Sequence, residues 1–251
     1  MAFANAVVLY FTLPETVTPG HPARATRRGW GYFFRSLREP GLGLVLAIYF
    51  LFVFAFSIMT TVFALFTMYR FDFGPEHNGY LFAYVGLLAV VVQGGIYGRL
   101  VKRFGQLPLI TAGALLLAVN LLLLPYVGPA WGGLAGLLAV MTFFSLGNSF
   151  ATPGLTSLAS ESAGAAEQGS VMGATQSAAS LARAIGPTVG GWLIYSAVAP
   201  KNIDDHSVRL TFFFAAAVMF AALLLALYLK RYEGGFGHRD TETQRQGKET
   251  M

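Results

Sequence analysis

Six apolar runs, each about as long as a bilayer-crossing helix, constrain this chain more than any other feature: residues 42–68, 79–98, 107–127, 131–159, 169–195 and 208–229. A hydrocarbon core of about 30 Å needs about 20 helical residues to cross it. Lipid offers no partner to a backbone N–H or C=O, so such runs must bond internally, as helices. The chain is 55% hydrophobic and 12% charged, and that charged share is about half the value typical of soluble domains. The expected fold is all-α, a six-helix transmembrane bundle over residues 42–229.

The flanks read differently. Residues 2–13 are apolar, but as a helix they cover only about 18 Å. With no basic segment ahead of them, they suit the end of a truncated transmembrane helix (1–16) better than a signal peptide. Residues 17–41 form a polar linker holding Arg24, Arg27, Arg28, Arg35 and Arg38. Trp30, Tyr32, Phe33 and Phe34 between those arginines suit a helix at the membrane interface, and a solvated connector reads equally well. Residues 230–251 form a charged, glycine-containing tail that is expected to be disordered.

Charge placement orients the bundle. A cytoplasmic linker puts its five arginines with Arg99, Lys102, Arg103 and the five basic residues of the tail, which makes thirteen. The opposite side then keeps only Arg70, Lys201 and Arg209. Cytoplasmic loops carry the excess of lysine and arginine, so both ends are expected on the cytoplasmic side of a multi-pass protein of the cell (inner) membrane. The net charge of +5 therefore serves the lipid bilayer, and no nucleic-acid partner is expected.

Enzyme chemistry finds few footholds. The four histidines, His21, His77, His206 and His238, fall outside the spans, and no HExxH, P-loop or GxGxxG pattern occurs. Cysteine is absent, which removes thiolate nucleophiles and cysteine-held metals. No enzyme, metal site or cofactor is expected. Every carboxylate also lies outside the spans or at their ends. A proton acceptor at mid-depth, if transport uses one, belongs to a partner or a missing segment.

Polar residues inside the spans fall in stripes. Ser57, Thr60, Thr61 and Thr67 share a face of the first span beside Phe50, Phe54 and Phe63. Ser145, Asn148, Ser149, Thr152 and Thr156 recur at helical spacing in the fourth, and Gly86, Gln93 and Tyr97 line up in the second. In the fifth, Gly169, Gly173, Ser177, Ser180, Ala184, Pro187 and Gly191 make a small-residue face, the kind that admits a second helix closely. Gln176, Ser180 and Arg183 lie beside it. A charge at mid-span costs at least ~2.5–3.5 kcal/mol against lipid, so Arg183 should face water or protein. Ser57, Thr60, Thr61, Asn148, Thr152, Gln176 and Arg183 are thus candidate walls of a cavity for an amphipathic small-molecule substrate. The same residues also suit hydrogen bonds between helices.

Two glycine motifs carry a resemblance. Gly98-Arg99-Leu100-Val101-Lys102-Arg103-Phe104-Gly105-Gln106 resembles the signature loop of the major facilitator superfamily, roughly G-x-L-A-D-R-x-G-R-K, with Gly98, Arg103 and Gly105 matching. Lys102 stands where that family's acid usually is, as befits a second-half copy. Gly186-Pro187-Thr188-Val189-Gly190-Gly191 resembles the antiporter motif G-P-x-x-G-G, with Gly186, Pro187, Gly190 and Gly191 in place. The stretch with Asn148, Pro153, Glu161, Gln168, Gly169 and Arg183 is similar to tetracycline-efflux-like drug:proton antiporters. The resemblance implies the C-terminal half of a major facilitator fold, built as an inverted 3+3 repeat. It implies first and fourth spans lining a cavity, second and fifth meeting the other half, and third and sixth toward lipid. The partner implied is a missing N-terminal six-helix half or a second copy, and the activity a proton-coupled export of amphipathic small molecules. A non-transporting membrane interaction protein and a homodimerising half-transporter are the alternatives.

Overall fold

The computed structural model describes residue 12 and residues 40–162, 168–196 and 205–249. The half-span and nearly all of the linker expected over 1–41 lie outside the described residues. Helix α1 is Pro40–Phe71. The second span runs without a break through α2 (Pro75–Val91), a π-helical segment (Val92–Tyr97) and α3 (Gly98–Phe104). Helix α4 is Gln106–Leu123 and closes in a 3-10 turn, Leu124–Tyr126. Helices α5 (Gly133–Glu161), α6 (Gln168–Ser196) and α7 (Asp205–Glu249) complete the order.

Local chemistry sets the breaks. Pro75 opens α2, where a missing N–H costs nothing. Gly105, at φ 83°, separates α3 from α4 by a turn that glycine takes without steric cost. Helix α7 passes the end of the apolar run and continues to Glu249, where a disordered tail was expected. Extending an existing helix needs no new nucleus, so a polar sequence can follow an apolar one into the same helix.

Five of the membrane-length helices among the described residues are apolar enough to cross by composition. Helix α6 is long enough, at 29 residues, but glycine, serine, glutamine and Arg183 lower its hydropathy below theirs. Its small residues serve packing instead.

The packing follows a two-fold exchange. Helix α1 lies against α6 and α7, α5 lies against α2 and α4, and α4 meets α7. Exchanging α1 with α5, α2 with α6 and α4 with α7 maps these pairs onto one another. This is the pairing of an inverted 3+3 repeat. The core holds Phe63, Phe66 and Phe212, with the last two edge to face at 5.5 Å.

Close approach depends on two pairs of glycines. A Cβ on Gly113 would stand 2.6 Å from the Gly147 carbonyl oxygen, and one on Gly147 would stand 2.9 Å from that of Gly113. Helices α4 and α5 therefore touch backbone to backbone. At the α1–α6 contact a Cβ on Gly186 would meet Ser57 at 2.6 Å, and one on Gly190 would meet Val62 at 3.2 Å. The small-residue face expected to receive a neighbour is not the one used here. Gly169, Gly173 and Gly191 would meet nothing within 4 Å, and Ser177, Ser180, Ala184 and Pro187 are exposed. The buried face is Ala174, Ala178, Ala182, Gly186 and Gly190.

The two ends of the bundle carry separate polar clusters. At one, Arg70 bridges Asp205 at 3.2 Å and donates to the Pro125 carbonyl at 3.1 Å, while Tyr69 donates to Asp205 at 3.0 Å. Arg209 lies over the Tyr126 ring at 5.2 Å. These contacts tie α1, α7 and the end of α4. At the other end, the Gln106 amide donates to Glu161 at 2.7 Å and to Ser157 at 3.1 Å, which joins the start of α4 to the end of α5.

Candidate substrate-facing site

The polar stripe of α5 separates into two rows, because five residues over three turns cannot share one narrow face. Ser145 and Ser149 are buried and tie α5 to the second span. Ser145 Oγ donates to the Val85 carbonyl at 2.9 Å, and Gln93 Nε2 donates to Ser149 Oγ at 3.4 Å. Tyr84 and Thr142 hydroxyls meet at 2.8 Å along the same seam.

Asn148, Thr152 and Thr156 form the second row, half-buried and spaced by fours. Thr152 Oγ1 donates to Asn148 Oδ1 at 3.0 Å, and Thr156 Oγ1 donates to the Thr152 carbonyl at 3.0 Å. This row opens on a cleft of about 630 Å³ lined by Gln93, Thr152, Pro153, Thr156, Ser157, Ser160 and Met172. The cleft lies between α5, the second span and the start of α6. Its lining has hydroxyls, an amide and a thioether, and no charge. Such a lining offers apolar contact and neutral hydrogen bonds.

The other candidate residues stand elsewhere. Ser57 is buried where α1 meets Gly186, and its carbonyl accepts from Thr61 at 2.8 Å and Thr60 at 3.1 Å. Thr60 and Thr61 are half-buried beside it. Gln176 and Arg183 are exposed on α6, one helix away from the cleft's α5 wall. No ion pair to Arg183 occurs among the described residues. The structure thus brings Thr152 to the cleft with Asn148 above it, and sets Ser57 in a helix contact.

The glycine motifs divide in the same way. Gly98, Arg103 and Gly105 are exposed at the end of the second span, with the Arg103 guanidinium over Phe104 at 5.3 Å. Gly186 and Gly190 pack on α1, while Pro187 faces outward. Gln106, Ser157 and Glu161 make a polar knot beside a second cleft of about 480 Å³. Reading the stripes one helix at a time missed this knot, and also the partnership of Gln93 with Ser149. Their signal is a polar residue at the same depth on two spans, which needs the pairing of spans to be known.

An all-helical membrane bundle with inverted-repeat pairing is an architecture shared by many secondary-transporter folds. The model of the Major Facilitator Superfamily matches residues 1–187, and the chain belongs to that superfamily. Multidrug resistance protein 2 of Bacillus subtilis is 29% identical over 201 residues, covering 79% of this chain and 46% of the relative. The class D tetracycline resistance protein of Salmonella ordonez is 28% identical over 181 residues, covering 72% of this chain and 44% of the relative. The crystal structure of the human organic anion transporter MFSD10 (TETRAN) superposes with a TM-score of 0.64 at 24% identity, covering 77% of this chain and 44% of that one. The chain spans about half the length of the curated relatives it matches.

Proposed function

We propose that this chain forms the C-terminal six-helix half of an alternating-access transporter that exports amphipathic small molecules in exchange for protons. One observation carries the proposal: the uncharged cleft is bordered by helices whose outward faces have no neighbour among the described residues. The membrane-length window of the second span is only 11% buried, against 67% for α1. Gly79, Gly86, Gly94 and Gly95 on that span, and Gly169, Gly173 and Gly191 on α6, all look onto open space. Glycine faces in lipid exist to let another helix close. The occupant proposed is an N-terminal six-helix half, which completes a cavity of which α5 forms one wall. The relatives' names, multidrug and tetracycline resistance, support amphipathic organic substrates. The carboxylate for proton exchange would come from that other half, because the cleft holds none. The chain would sit in the inner membrane with both ends cytoplasmic.

Reconstitution tests this. Liposomes holding the chain alone, under an imposed proton gradient, are expected to move no tetracycline beyond empty vesicles. Adding an N-terminal six-helix half should produce gradient-dependent movement. Robust movement by the chain alone would replace the missing half with a second copy. No movement in either case would leave a non-transporting membrane interaction protein.

A further inference from the structure

The second span does not run as one α-helix. Val92–Tyr97 (VQGGIY) is π-helical, and such segments are rare and concentrate at functional sites. Gly94 and Gly95 lie inside it, and each weakens a helix by about 1 kcal/mol relative to alanine. Packing within the chain does not require them, since a Cβ on either would meet nothing within 4 Å. Besides leaving room for a helix of the other half, they give the backbone freedom at this point.

Both flanks of the segment are pinned to α5. On the α2 side Ser145 holds the Val85 carbonyl at 2.9 Å, and beyond α3 Gln106 holds Glu161 at 2.7 Å. Between these anchors, among the described residues, the π segment makes one side-chain hydrogen bond, from Gln93 to Ser149. At 3.4 Å it is long for an amide donor. Gln93 also lines the cleft. On the far side α3 carries Arg99, Lys102 and Arg103 and stops at Gly105, whose φ of 83° suits glycine alone. Helix α3 is therefore a seven-residue basic lever with a soft joint at each end.

We propose that Val92–Tyr97 is a switchable joint through which occupancy of the cleft sets the rotation of α3. The proposal rests on the cleft being a ligand site. A group entering the cleft competes for the Gln93 amide and releases its long bond to Ser149. Without that tie the π turn relaxes toward α geometry and displaces its surplus residue along the helix. One residue of register turns the helix by about 100°, which carries a side chain about 5 Å from the axis through about 8 Å. Gly105 absorbs the turn, so the Gln106–Glu161 anchor stays in place.

Pulsed electron–electron spectroscopy tests the joint directly. The native chain has no cysteine, so spin labels at Lys102→Cys on α3 and Leu115→Cys on the exposed side of α4 are the only ones. In nanodiscs the full chain should show two distance populations separated by up to about 8 Å. Gln93→Leu should shift weight toward the population less visited by the parent. Gly94→Ala combined with Gly95→Ala should leave a single population. Gly86→Ala, equally open but within regular α2, should reproduce the parent. A single parental population that neither change alters overturns the joint. An equal response to Gly86→Ala also overturns it, and assigns the glycines to packing against a partner. Tetracycline added to the parent in nanodiscs should shift weight in the same direction as Gln93→Leu; a joint that answers the substitutions but not the compound refutes the ligand-site reading and leaves only a ligand-independent joint.

Discussion

Arg183 shows how much a single position can carry. It stands mid-way along α6, exposed, with no carboxylate partner among the described residues. Pro187, four residues on, has no N–H to give the Arg183 carbonyl, so charge and freed backbone coincide. Thr188 covers the next carbonyl, that of Ala184, at 3.4 Å. A charge at this depth needs water, a carboxylate or a substrate. Losing a charge-assisted hydrogen bond costs about 1.5–3 kcal/mol. Arg183→Gln in the assembled transporter is therefore expected to cut proton-driven transport by about tenfold or more per folded protein. Arg183→Lys keeps the charge and loses the planar fork, and should fall between the two. Near-normal transport by Arg183→Gln would remove this charge from substrate and proton coupling. The position was legible in the sequence because one charge in an apolar run is conspicuous. Its surroundings were not, since they belong to whatever covers α6.

At the scale of elements, close packing decides which helix faces matter. Spacing picks out one small-residue face on α6, but glycine, alanine and serine fill both sides of that helix. Contact with α1 selects Gly186 and Gly190 and leaves Gly173 and Gly191 open. The reciprocal Gly113–Gly147 crossing is as close, and there it is carbonyl oxygens that lie 2.6 and 2.9 Å from where a Cβ would stand. Backbone cannot move aside as a flexible side chain does, so an added side chain there forces the helices apart. Gly147→Val is expected to destabilise the bundle by at least about 1–3 kcal/mol. Gly191→Ala, inside a helix and with open space around it, should leave the isolated chain as stable or up to about 1 kcal/mol more so. Thermal unfolding in detergent, followed by circular dichroism, compares the two. Equal losses from both would show that the crossing is not where the tight packing lies.

For the whole molecule, sidedness is the property with the simplest test. Asp72 and the Arg70–Asp205 cluster stand at one end of the bundle, Lys102 and the Gln106–Glu161 knot at the other. A single cysteine at Asp72 should react with an impermeant maleimide added to intact cells, and one at Lys102 only after permeabilisation. The reverse pattern would invert the orientation argued from charge. That each apolar run forms a helix followed from the chain alone, because lipid makes each span satisfy its own backbone. Where the last helix stops did not, since α7 continues about 20 residues past its apolar run to Glu249. Lysine and arginine placement is equally local, so the orientation could be argued from it. The inverted repeat was implied by the family resemblance that the two glycine motifs carry. Only the tertiary structure decided that Asn148, Thr152 and Thr156 form a row apart from Ser145 and Ser149, or that Ser57 sits against Gly186. Only it joined Gln106 to Glu161 and Arg70 to Asp205, and placed a π turn in the second span. Each of those depends on which residues of distant segments share a depth and a face, and a periodicity read along one helix holds no information about its neighbour.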